Sequence, residues 1–89
     1  MAEREVTIIN KLGLHARAAA KLVTEASAYE SDFRIAKGSR EVSGKSIMGV
    51  MMLAAAKGTQ IRLIAEGPDA DAALDGVEAL INRRFDEDE

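Results

Sequence analysis

Cysteine is absent from this 89-residue chain and histidine occurs once, at position 15. Disulfide frameworks need paired thiols, and structural zinc, dithiol redox and haem sites each need several sulfur or nitrogen ligands held close together. None of these can reinforce the fold, and neither a metal nor a cofactor is expected. A chain of this size buries roughly 60–65% of its unfolded surface, enough for one modest core. With 47% hydrophobic residues but only one Tyr and two Phe, that core rests on aliphatic packing. Residues 1–89 therefore read as a single small domain.

The net charge of −3 is small and of the wrong sign for general phosphate-backbone binding, and three aromatic residues offer few surfaces for stacking bases. A nucleic-acid-binding domain is disfavoured on these grounds. The N-terminal run Met1-Ala2-Glu3-Arg4-Glu5 lacks a basic-then-apolar signal layout, and no apolar run approaches the roughly 18–20 residues of a membrane span. The expectation is a soluble, unexported protein without membrane insertion, compatible with the cytoplasm. Asp86-Glu87-Asp88-Glu89 holds four of the fifteen acids and reads as an acidic tail, 86–89, solvated and frayed.

Between Glu5 and Asn10 the β-branched run Val6, Thr7, Ile8, Ile9 predicts a strand, which Asn10-Lys11-Leu12-Gly13 breaks. From Ala16 to about Ala28, the residues Ala16, Ala19, Ala20, Val23 and Ala26, flanked by Leu22, recur at helical spacing. This predicts an amphipathic helix with a small-residue face suited to close packing on a sheet. Phe33 and Ile35 begin a hairpin that turns at Lys37-Gly38-Ser39 into the weaker strand Arg40-Glu41-Val42-Ser43. Ser46 is an N-cap candidate for a short apolar helix, Ile47 to Leu53. Ile61, Leu63 and Ala65 alternate in another strand. Gly67-Pro68-Asp69 then opens a helix with Ala70, Ala73, Leu74, Val77, Leu80 and Ile81 inward. Asp69 and Asp71 at its start, and Arg83 and Arg84 near its end, suit the helix macrodipole. The order βαββαβα points to an α+β two-layer sandwich with helices on one face of a mostly antiparallel sheet.

His15 falls where a loop becomes a helix. The free N–H groups and positive dipole end there disfavour a second positive charge on the ring, keeping it neutral and nucleophilic near pH 7. The same donors suit an attached anion such as a phosphoryl group, to which Arg17 could add a charge-assisted bond. Position alone favours the blander reading, an ordinary N-cap or a partly exposed surface residue, because helix starts are common and a lone histidine is rarely catalytic. Gly44-Lys45-Ser46 resembles the end of a phosphate-binding P-loop, but Ser39 stands where the pattern needs Gly, and nucleotide binding is rejected. Ser46 is either a modification site, where a phosphate would meet free N–H donors, or a plain N-cap worth about 1 kcal/mol. Ile47, Met48 and Met51 divide evenly between docking and packing, whereas Val50 and Leu53 read as core.

Taken together, Asn10-Lys11-Leu12-Gly13-Leu14-His15-Ala16-Arg17 and Gly44-Lys45-Ser46-Ile47-Met48 resemble the two signature regions of HPr, the histidine-containing phosphocarrier of the bacterial phosphoenolpyruvate-dependent phosphotransferase system. The resemblance covers nearly the whole chain. It implies an open-faced β-sandwich, a four-stranded antiparallel sheet in order 1-4-2-3 covered on one face by three helices. It also implies that His15 accepts a phosphoryl group on Nδ1 from phosphorylated enzyme I and passes it to an enzyme IIA domain. The chain would then be a covalent transfer intermediate, not a free-standing enzyme. Arg17 would neutralise the phosphoryl charge, and Ser46 would be the serine that HPr kinase/phosphorylase modifies in bacteria that possess it.

Both large partners would use one face in turn, centred on Ile47, Met48 and Met51, and the carrier is expected to be a monomer. Where many members have Pro after the His-Ala-Arg triplet, this chain has Ala18, itself a good helix former. Thr24 and Ser27 stand where sugar-transport members often carry basic residues. The Met-rich second helix and acidic tail resemble proteobacterial members, including those of a nitrogen-related branch. The alternative function is a regulatory binding module acting through phosphorylated Ser46 without phosphoryl relay.

Overall fold

The computed structural model describes residues 1–88, and Glu89, the last residue of the expected tail, lies outside them. Its sheet is organised around β4, Gln60–Glu66, in which Ile61, Leu63, Ile64 and Ala65 are all buried. A strand that apolar needs a partner on each edge. β1, Ala2–Thr7, pairs with one edge, and β2, Asp32–Lys37, with the other. β3, Arg40–Ser43, adds to β2 through the two-residue turn Gly38-Ser39. Every pairing is antiparallel and the order is β1-β4-β2-β3. Three helices complete the open sandwich: α1, Ala16–Ser27; α2, Ile47–Met52; and α3, Ala70–Asn82. A short 3₁₀-type turn, Arg84–Asp86, follows.

The first strand starts earlier than its β-branched run suggests, because the register Ala2↔Ala65 to Thr7↔Gln60 recruits the charged segment Glu3-Arg4-Glu5. Backbone pairing decides there, since β4 offers a full ladder: Glu3 and Glu5 stay exposed, and the Arg4 guanidinium donates to the Asp75 and Glu78 carboxylates of α3 at 2.5 and 2.8 Å. Ile8, just beyond, is still buried and still bonds to the segment before β4.

In α1 the buried face is Ala18, Ala19, Leu22 and Ala26. Ala16 is exposed while Ala20 and Val23 are only partly covered, so the face is rotated by about one position from the one predicted. Leu22, the largest apolar side chain of α1, sets that rotation by packing fully into the core. In α3 the inner face is as predicted, with Ala70 only partly buried. Among the described residues no helix is long and apolar enough to cross a membrane.

Asp69 does not cap its own helix with its side chain. Its carboxylate instead accepts bonds from the Glu30 N–H at 2.9 Å, the Ser31 N–H at 2.9 Å and the Ser31 hydroxyl at 2.5 Å. Ser31 is buried, and Gly67, at φ +147°, leaves the room for it: a Cβ at Gly67 would come within 2.7 Å of the Ser31 Cα. This corner ties the α1–β2 connection to the start of α3. The Ser31 hydroxyl, helped by the Glu30 and Ser31 N–H groups, holds the Asp69 carboxyl below the usual range.

A depressed carboxyl contributes stability above its unfolded pKa, about 3.9 for Asp, and loses it as the pH falls through the folded value. Asp69→Ala is therefore expected to lower the urea midpoint at pH 7 and to flatten the acid limb of the stability curve. Urea titrations from pH 7 down to pH 2 check this; parallel acid limbs in the two proteins would contradict it.

Candidate functional site

The loop carrying His15 is held by the backbone. The Leu14 N–H donates to the Ala55 carbonyl at 2.9 Å, and the Gly13 N–H to the Asn10 carbonyl at 3.2 Å. Gly13 has φ +67°, and a Cβ there would run into the Ala55 carbonyl oxygen and lie 2.9 Å from the Ala56 Cα. Only glycine permits both the left-handed backbone and that approach. Leu14 is buried, which leaves His15 as the N-cap of α1, in extended backbone and with no capping bond from its side chain. The Ala19 N–H donates to the His15 carbonyl at 2.8 Å. The N–H groups of Ala16, Arg17 and Ala18 precede that bond and form the positive end of the helix beside the ring.

His15 and Arg17 line one open depression of about 660 Å³, together with Lys11, Leu12, Ala16, Glu87 and Asp88. Arg17 is exposed and makes no hydrogen bond among the described residues, so its guanidinium is available to an anion seated by the ring. The ring itself is partly covered, and its Nε2 edge is in hydrogen-bond contact with the Glu87 carboxylate.

That contact corrects the reading of the acidic tail as solvated and frayed at Glu87, whereas Asp86 and Asp88 are exposed and Glu89 lies outside the described residues. Phe85 is completely buried, and the Lys21 ammonium donates to its carbonyl at 2.7 Å. Arg84, Phe85 and Asp86 all have positive φ, at +57°, +54° and +63°. Such backbone costs an L-residue roughly 1–2 kcal/mol each, and here burial of the Phe85 ring and the Lys21 bond offset it. The turn sends the chain back over α1, where Glu87 is 13% exposed and accepts from the Asn10 amide at 3.0 Å. Burial alone pushes the Glu87 carboxyl up. The bonds from Asn10 and His15, with the charges of His15 and Arg17, outweigh it and leave the carboxyl below its usual range.

Glu87 and Asn10 are the site neighbours that pattern reading misses. Acidic runs at chain ends are usually solvated. The available signal was Phe85, a large aromatic next to that run and needing a place in an otherwise aliphatic core.

Ser46 caps α2, its hydroxyl accepting from the Gly49 N–H at 3.1 Å. It lies outside the depression around His15, although α1 and α2 pack against each other. Ile47, Met48 and Met51 are exposed, as is Met52, whereas Val50 and Leu53 are buried. Ile47, Met48 and Met51 therefore lie outside the core. Leu12, 66% exposed, lines the same depression as His15 and was not singled out from sequence.

Residues 2–83 match the family model described as the PTS HPr component phosphorylation site. Phosphocarrier protein HPr of Pseudomonas aeruginosa is 57% identical over 86 residues, covering 96% of each chain. Phosphocarrier protein NPr of Shewanella violacea is 49% identical over 85 residues, 96% of this chain and 93% of the relative. Among solved structures, HPr-C-His from Thermoanaerobacter tengcongensis superposes with a TM-score of 0.96 at 40% identity, covering all of both chains. An HPr dimer from the same organism aligns with a TM-score of 0.79 at 41% identity, over 98% of this chain and 100% of the other.

Gly13→Ala is expected to destabilise the chain by about 1–3 kcal/mol, because strained backbone and a blocked approach to Ala55 act together. Equilibrium urea unfolding measures it; a change of a few tenths would show that the loop relaxes freely.

Proposed function

The chain belongs to the HPr family of phosphocarrier proteins of the phosphotransferase system, and from that premise we propose that His15 carries a phosphoryl group between two protein partners. The observation that carries this reading is the pairing of a partly exposed imidazole at the positive end of α1 with an unbonded Arg17 in the same depression. The group comes from phosphoenolpyruvate by way of phosphorylated enzyme I, is taken on Nδ1, and passes to an enzyme IIA domain of a sugar or nitrogen-related system. Relatives named HPr and NPr both align over nearly the whole chain, which supports either branch.

The Nδ1 lone pair attacks phosphorus as the bond to the donor breaks, and that bond's electron pair stays with the donor. Arg17 and the free N–H groups of the first turn of α1 balance the charge of the bound group. They do so without enclosing it, and a modestly stabilised intermediate can be passed on. Ile47, Met48 and Met51, with Leu12, form the docking face. Because both partners need that face, they bind in turn, and the working unit is a cytoplasmic monomer; sedimentation at assay concentration checks the monomer against the dimer seen in a relative.

Phosphorylation of Ser46 by an HPr kinase/phosphorylase, where the host has one, would set a dianion beside exposed Ile47 and Met48 and oppose docking.

Incubation with phosphoenolpyruvate and enzyme I should place one acid-labile phosphate on the chain. His15→Ala should carry none, Arg17→Ala should accept about 10²-fold more slowly, and Ser46→Asp should raise the KM for this chain about tenfold through like charge at the docking face. Absence of phosphate on His15 in the wild-type chain would overturn the reading. An output that survives His15→Ala and is lost in Ser46→Ala would favour the regulatory module instead.

A further inference from the structure

The Nε2 edge of His15 is held by a carboxylate whose own orientation is fixed from the loop before the histidine. The Asn10 side chain is completely buried. Its Nδ2 donates one hydrogen to the Gly13 carbonyl at 2.8 Å and the other to Glu87 Oε1 at 3.0 Å. The other oxygen, Oε2, meets His15 Nε2. Lys21 and the buried Phe85 ring hold the segment that delivers Glu87. No bond from a described residue reaches the Nδ1 edge.

We propose that Glu87 is a positioning residue for phosphoryl transfer: it fixes His15 as the Nε2–H tautomer, presents Nδ1 as the nucleophile, and keeps the proton on Nε2 throughout. The inference rests on the carrier reading above. A carboxylate can only accept hydrogen bonds, so a neutral ring facing it must carry its single proton on Nε2, leaving the lone pair on Nδ1. The net lowering of the Glu87 carboxyl keeps it ionised at neutral pH. Lys11, Arg17 and Asp88 are the other charged groups lining the depression.

When the Nδ1–P bond forms and the donor–P bond breaks, the ring becomes a cation with its proton on Nε2, and Glu87 balances that charge. In the onward step the Nδ1–P bond breaks, its electron pair returns to Nδ1, and a neutral imidazole leaves. No proton has to move in either direction. A ring that had released its Nε2 proton would have to leave as imidazolate, a far poorer leaving group.

The same geometry makes Glu87→Gln diagnostic. Asn10 Nδ2 demands an acceptor, so the Gln carbonyl must face Asn10 and its NH₂ must face Nε2, which forces the ring proton onto Nδ1. Two-bond ¹H–¹⁵N NMR of the full chain, at a pH where the ring is neutral, reads the tautomer directly. Wild type should show a protonated Nε2 and a bare Nδ1, Glu87→Gln the reverse, and Glu87→Ala a mixture, all with the wild-type amide spectrum elsewhere. Acceptance of phosphate from enzyme I should fall at least about tenfold in Glu87→Gln, and Glu87→Asp should recover part of it.

A ring that keeps the wild-type tautomer in Glu87→Gln overturns the proposal. So does a tautomer change that leaves the acceptance rate untouched. Failure of the wild-type chain to take phosphate is a separate result, which overturns the carrier reading and the role in transfer together while the tautomer change still stands.

Discussion

How closely α1 can approach the layers beneath it governs the rest of the molecule. Its inward face is Ala18, Ala19 and Ala26 around the single large side chain Leu22, all at 0% exposure. Small side chains bring a helix backbone near its support, and alanine does so without losing side-chain entropy or helix propensity. Two consequences reach the site. The start of α1 lies close enough to the segment after α2 for Leu14 to bond to Ala55. Further along α1, Lys21 lies close enough to the turn after α3 to bind the Phe85 carbonyl. A larger residue at position 18 or 19 would move the histidine away from the groups that define its surroundings.

Most of the scaffold was legible because its elements obey a single period. Phe33 and Ile35 in β2, Ile61, Leu63 and Ala65 in β4, and the Ala73–Ile81 face of α3 each follow one repeat, and each is buried as that repeat predicts. Legibility failed where a distant partner outweighed the local pattern. The charged start of β1 is a strand because β4 needs a neighbour. The face of α1 turns to seat Leu22. Asp69 stands at the start of α3, yet its carboxylate serves the 30–31 connection.

The site divides along the same line. The placing of His15 and Arg17 at a helix start was readable because such a start is a local event. Glu87 was not, because its position depends on Phe85 entering the core 70 residues after the loop it completes. One buried amide, Asn10, joins the two halves, and its Oδ1 is a buried polar atom without a partner among the described residues. Leaving such an atom unpaired costs stability. The cost is tolerated where the same amide must donate twice, to Gly13 and to Glu87.

The contact between His15 and Glu87 spans 72 positions of sequence, and this bears on the order in which a growing chain acquires its parts. The histidine emerges from synthesis early, but β1 has no partner until β4 has been made, and the ring has no carboxylate until α3 and the turn after it have docked. Contacts of such long range form late. A nascent chain therefore exposes its histidine well before that histidine is held in a defined state, and the site is finished only when the last helix is in place.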